Sequence, residues 1–205
     1  MKVRLLALAV PFLLTATNAV ADGPSVRWPL VAAGRIAADA ATSAPPDFQR
    51  MLARHPRRLM DGVKAGLAAS PAREPQARRA ALASGARRLA EAIRGHRPFA
   101  DVAFEAGGLV AEAALLLPPP AASGGDDALL ALARGGATFL GFTPRPFDSP
   151  EAIAAAPLPS GTPREAYDSA LTLSARLLAW TWHAAGGDAA IALARPESKG
   201  PYPVR

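Results

Sequence analysis

The chain contains no cysteine. That excludes disulfides, a thiol nucleophile and every zinc site built on thiolates. Histidine is almost as scarce. His55, His96 and His183 are the three present, and no two of them stand at the i, i+3 or i+4 spacing that places paired ligands on one helix face. Aromatic residues make up 6% of the chain and do not interleave with the arginines, which argues against a base-stacking surface for nucleic acid. β-Branched residues are sparse and no long stretch alternates with period two, so nothing predicts a sheet. No apolar run reaches the roughly 20 residues that span a bilayer. Residues 109–122 come nearest, and Glu112 and Pro118-Pro119-Pro120 break them. The glycines of Ser123-Gly124-Gly125 and Gly135-Gly136 fit no phosphate-cradling pattern, and no serine lies in a Gly-x-Ser-x-Gly elbow.

What remains is rich in alanine, leucine and arginine. At the start, Lys2 and Arg4 precede an apolar stretch from Leu5 to Leu14, and Ala19-Val20-Ala21 follows as a small-x-small triplet. That order predicts a secretory signal peptide over residues 1–21, with export to the periplasm or medium. Residues 22–195 then make one domain of a size that can bury its own core without disulfides, followed by a tail over 196–205. The formal charge is +6, two units of which sit in the leader. The excess is concentrated between Arg50 and Arg97, where eleven arginines and Lys64 face only Asp61, Glu74 and Glu91. Arg54, Arg57, Arg58, Arg78, Arg79, Arg87 and Arg88 are the candidates for an anionic surface, such as phospholipid headgroups. The alternative is a set of solvated helix faces carrying intrahelical pairs.

The periodicity predicts an all-α single domain. Helices are expected over Pro29–Ala41, from Asp47 as a cap, after Pro56, over Pro75–Arg94 with Gly95 as C-terminal cap, and over Phe99–Leu117. A short amphipathic helix follows over Asp126–Arg134. Residues 135–161 read as a long glycine- and proline-rich loop. Thr162-Pro163-Arg164-Glu165 is a capping box that opens the last helix, which runs to Ala185 and is apolar around most of its circumference. The fifth helix is apolar on most sides and is expected at the centre. Glu105 and Glu112 lie seven apart on it, two turns along one face. A buried carboxylate pair of that kind suits acid–base chemistry, and arginines reaching over from a neighbouring helix are the bland alternative.

Three stretches resemble the zinc-dependent phospholipase C family and the single-strand nucleases that share its helical fold. They are Trp28 with Arg35-Ile36-Ala37, Pro45-Pro46-Asp47-Phe48 and Leu52 to Gly62; Gly107-Gly108-Leu109-Val110-Ala111-Glu112 with the prolines beyond; and Tyr167-Asp168 through Trp182 to Gly186-Gly187-Asp188. The resemblance implies an all-α bundle and, in the family, a three-zinc cluster held by histidines, carboxylates and an amino-terminal tryptophan. Here Trp28 lies inside the chain, the histidine position before Ile36-Ala37 falls at or near Gly34, and Ala111 or Glu112 stands where a ligand histidine is expected. No family ligand carries over, so the expectation is a metal-free, non-catalytic relative with no cofactor that binds lipid or another anionic ligand. Its pocket would lie near Trp28, Gly34 and Glu112, with Glu105, Asp168 and His183 as further candidates. The rival is a phosphodiester hydrolase with a reduced or displaced zinc site, which convergence of Glu105, Glu112, Asp168 and His183 on one cavity would favour.

Overall fold

A computed structural model describes residues 27–69, 74–121, 123–141 and 149–187. The expected signal peptide and the tail over 196–205 lie outside the described residues. Eight helices follow one another there, with no strand among the described residues: α1 (Leu30–Thr42), α2 (Pro46–Ala53), α3 (Pro56–Ala69), α4 (Pro75–Arg94), α5 (Phe99–Leu116), α6 (Asp126–Arg134), α7 (Pro150–Ala155) and α8 (Pro163–Ala184).

Proline punctuates this order. Helices α2, α3, α4, α7 and α8 begin on a proline, and Pro29 and Pro98 are the N-caps of α1 and α5. A prolyl ring fixes φ near the helical value and lacks the N–H that a first turn leaves unbonded, so each helix start is specified locally. Helix α6 is the exception. It is entered through Gly124 and Gly125 at φ +77° and +83°, a path that favours glycine, and Asp126 and Asp127 then occupy the positive end of its dipole.

Helix α5 is the hub, packed against α1, α2, α3, α4 and α8. Its closest neighbour is α3, and glycine is the reason. A Cβ on Gly62 would overlap the Phe104 carbonyl, and one on Gly107 would overlap the Leu59 carbonyl. The two helices therefore touch backbone to backbone. Gly66 continues the seam against Ala111 and Gly108, so α3 and α5 run parallel, with α4 linking them in the chain. Helix α2 closes one end of the bundle: Phe48 is fully buried, stacked on Trp182 at 5.2 Å and edge-on to Phe99 at 6.5 Å.

Helix α8 is buried from Ala166 through Ala175 and again at Leu177, Leu178, Ala179 and Thr181. It opens with both halves of the capping box, Glu165 N–H donating to Thr162 Oγ1 and Thr162 N–H to Glu165 Oε2. Along one stripe, polar side chains four residues apart hold the segment 136–141 alongside it. Arg164 donates to the Gly136 carbonyl (2.7 Å), Asp168 accepts from Thr138 N–H (2.9 Å), Thr172 accepts from Leu140 N–H (3.0 Å), and Arg176 donates twice to the Gly141 carbonyl. The helix thus offers the extended segment the partners a neighbouring strand would offer.

Two local expectations are corrected. Asp47 lies in the first turn of α2, whose N-cap is Pro45, because the proline pair lets the helix begin two residues earlier. Gly95 caps α4 as expected, at an ordinary φ of −77°, and the left-handed residue that follows is His96 at φ +53°. Within the stretch read as loop, Ser149 accepts a hydrogen bond from Ala152 N–H and starts α7, too short to show a period.

Candidate functional site

A cavity of about 470 Å³ opens where α3 and α4 diverge over α5. Small residues make it. Ala65, Gly66 and Ala69 of α3 face Ala81 and Gly85 of α4, and Gly108 and Leu109 of α5 form the floor. The same economy of side chains that lets α3 touch α5 at Gly62 leaves this space once the helix axes separate. The volume falls within the range of small-molecule sites.

Three charged side chains line it: Glu105, Glu112 and Arg88. Glu112 is ion-paired with Arg78 of α4, Nη1 to Oε2 at 3.2 Å, and Arg78 is itself buried. Glu105 pairs with Arg97 from the α4–α5 connection. Arg88 donates to Ser84 Oγ at 2.7 Å, and no carboxylate among the described residues pairs with it. The carboxylates are therefore offset and the lining keeps one uncompensated cation. The edge of Phe104's wall is covered by Arg58, whose guanidinium sits 5.0 Å from the ring centroid.

The other candidates are elsewhere. Trp28 packs edge-on against Tyr167 (5.8 Å) and donates from Nε1 to the Leu117 carbonyl (2.9 Å) at the C-terminal end of α5. Gly34 is covered by the Met60 thioether. Asp168 is mostly buried and spans Arg164 (2.8 Å) and Thr138 N–H. His183 is exposed near the end of α8, fifteen residues from Asp168 on one helix, a separation of about 22 Å at 1.5 Å per residue. So the structure brings Glu105 and Glu112 to one cavity and leaves Trp28, Gly34, Asp168 and His183 away from it. No group of three histidines or carboxylates close enough to share a metal ion occurs among the described residues.

A second polar cluster joins α1 to α8 and was not anticipated. Tyr167 donates to Asp39 Oδ2 at 3.0 Å, and Arg35 Nε stands 3.1 Å from Asp39 Oδ1, an ion pair whose N–H lacks hydrogen-bond alignment. Burial raises the Asp39 carboxyl above its ordinary value, opposed by the Arg35 charge. Burial, and then the Asp39 charge, raise the Tyr167 phenol well above its ordinary value. The i, i+4 spacing of Arg35 and Asp39 was the sequence signal for half of it; the Tyr167 partner, 128 positions away, had none.

The seven arginines of the expected anionic surface differ in their partners. Arg58, Arg78 and Arg87 are committed to Asp101, Glu112 and Glu151. Arg54, Arg57 and Arg79 are exposed without a carboxylate partner among the described residues, and Arg79 lines a smaller cavity of about 230 Å³ beside the α7–α8 connection. No helix among the described residues is long and apolar enough to cross a membrane. In comparison with known proteins, no family model matches this chain, and neither a curated protein nor a solved structure gives a match.

Proposed function

We propose that the chain is an exported, non-catalytic binding protein, a metal-free relative of the phospholipase C fold, that holds an anionic amphiphile in the α3–α4–α5 cavity. The observation that carries this reading is the pairing pattern of the lining: Glu105 and Glu112 are neutralised by Arg97 and Arg78, while Arg88 keeps its charge for a ligand. Glycine and alanine walls admit an apolar body close to the helix backbones, and Arg88 supplies the charge-assisted hydrogen bonds that orient an anionic head.

Gly108 provides the test. A Cβ there meets nothing nearer than the Gly62 carbonyl at 4.0 Å, so a larger side chain grows into the cavity without displacing a helix. The measurement is displacement of a fluorescent long-chain fatty acid, run beside a thermal melt. Gly108→Leu is expected to abolish binding and keep the melting temperature. Arg88→Ala is expected to weaken the carboxylate while leaving the uncharged alcohol of the same chain length unaffected. Equal binding by wild type and Gly108→Leu would sink the proposal.

A further inference from the structure

Helix α1 opens with two apolar side chains in solvent, Leu30 at 42% and Val31 at 67% exposure. Scattered exposed leucines are ordinary, so the question is whether these have company. They do. Gly34, one turn on, lies directly against the thioether of Met60, and Met60 is itself 36% exposed. The absence of a side chain at Gly34 lets α3 present Met60 beside the start of α1, so the three side chains form one ridge across two helices.

The unpaired charges around that ridge have one sign. Arg57 and Lys64 flank Met60 on α3 at i−3 and i+4, on the same face, and Arg27 lies in the non-helical lead-in just before the Pro29 cap of α1. All three are exposed, and none has a carboxylate partner among the described residues. The nearby carboxylates are engaged: Asp61 with Arg58 and Asp39 with Arg35. A small apolar ridge ringed by uncompensated cations is the pattern of a face that rests at the headgroup boundary of a membrane, inserting its apolar side chains and drawing on anionic lipid.

We infer that the Leu30–Val31–Met60 ridge with Arg27, Arg57 and Lys64 docks the protein peripherally on an anionic phospholipid bilayer. This surface is separate from the cavity above and does not depend on it. The charge complementarity selects lipid over a neutral apolar partner, and the flexible Met60 side chain suits a fluid surface.

The test is co-sedimentation of the whole protein with vesicles of phosphatidylcholine containing phosphatidylglycerol, against vesicles of phosphatidylcholine alone. Wild type is expected to partition onto the anionic vesicles only. Each charge removed costs roughly fivefold in partition, so Arg57→Gln with Lys64→Gln lowers it by about 25-fold. Val31→Asp is expected to abolish it at an unchanged melting temperature, since that side chain is mostly in water. Gly108→Leu is expected to leave vesicle binding intact, so failure here and failure of the cavity reading are distinguishable. Binding that is unchanged by Val31→Asp, or absent in wild type, overturns the inference. So does concentration-dependent self-association in light scattering that Val31→Asp removes, since the ridge would then be an interface between copies.

Discussion

Helices α5 and α8 each hold a neighbour at close range, by opposite means. On α5, side chains are removed: Gly62 and Gly107 let α3 and α5 meet as bare backbones. On α8, side chains do all of it, with Arg164, Asp168, Thr172 and Arg176 reaching the backbone of residues 136–141. The first contact is made of dispersion and shape and tolerates no added atom. The second is made of part-buried hydrogen bonds, each of which contributes modestly and leaves a backbone group without its partner when lost. The seam should therefore break globally and the ladder locally.

The largest effect is expected at the seam. Gly62→Ala places a methyl group on the Phe104 carbonyl, which only a shift of α3 can relieve. The cost is about 3 kcal/mol or more, at the upper end of overpacking. Urea unfolding should show a lower midpoint for the whole domain, and an unchanged midpoint would mean that the helices are not in backbone contact.

A smaller, local effect is expected on the ladder. Asp168→Ala leaves the Thr138 N–H without its acceptor and Arg164 without its carboxylate. About 1–3 kcal/mol is at stake. Amide exchange at Thr138 should rise steeply while α3 and α5 remain protected, and Asp168→Asn should restore part of that protection. Uniform loss of protection would mean that the ladder belongs to the same cooperative unit as the seam.

The smallest effect belongs to the α1–α8 joint. Because burial raises the Asp39 carboxyl above its ordinary 3.8, folding favours its protonated form. That contribution is present below the unperturbed value and is lost as pH rises through the raised one. Asp39→Asn keeps an acceptor for Tyr167 and removes the titration. The melting temperature of the variant, relative to wild type, should therefore climb as pH rises from below 3.8 through the raised value. A difference that is flat, or that falls, would contradict the burial at Asp39.

The helix boundaries were legible because the chain marks them with rings and caps. Pro75–Arg94 and Asp126–Arg134 are found where the periodicity places them, and Thr162 and Glu165 close the box their spacing implies. What the chain could not announce is how helices pair. The purpose of Gly62 and Gly107 exists only once each faces a carbonyl of the other helix. Likewise Glu105 and Glu112 were visible as two turns of one face, but which arginines offset them depended on the placement of α4. The separation of Asp168 from His183 was legible all along, since a straight helix keeps residues fifteen apart out of reach of one another.

The prolines that open the helices act on the unfolded chain as well. A ring at a position whose native φ it already suits removes conformations that the denatured chain would otherwise explore, for about 0.4–1 kcal/mol each. Seven helices begin on or just after such a ring. Together they approach or exceed the about 2–4 kcal/mol that a native disulfide supplies by restricting the same denatured ensemble. A chain with no cysteine thereby cross-links nothing, yet shortens the list of shapes it has to give up when it folds.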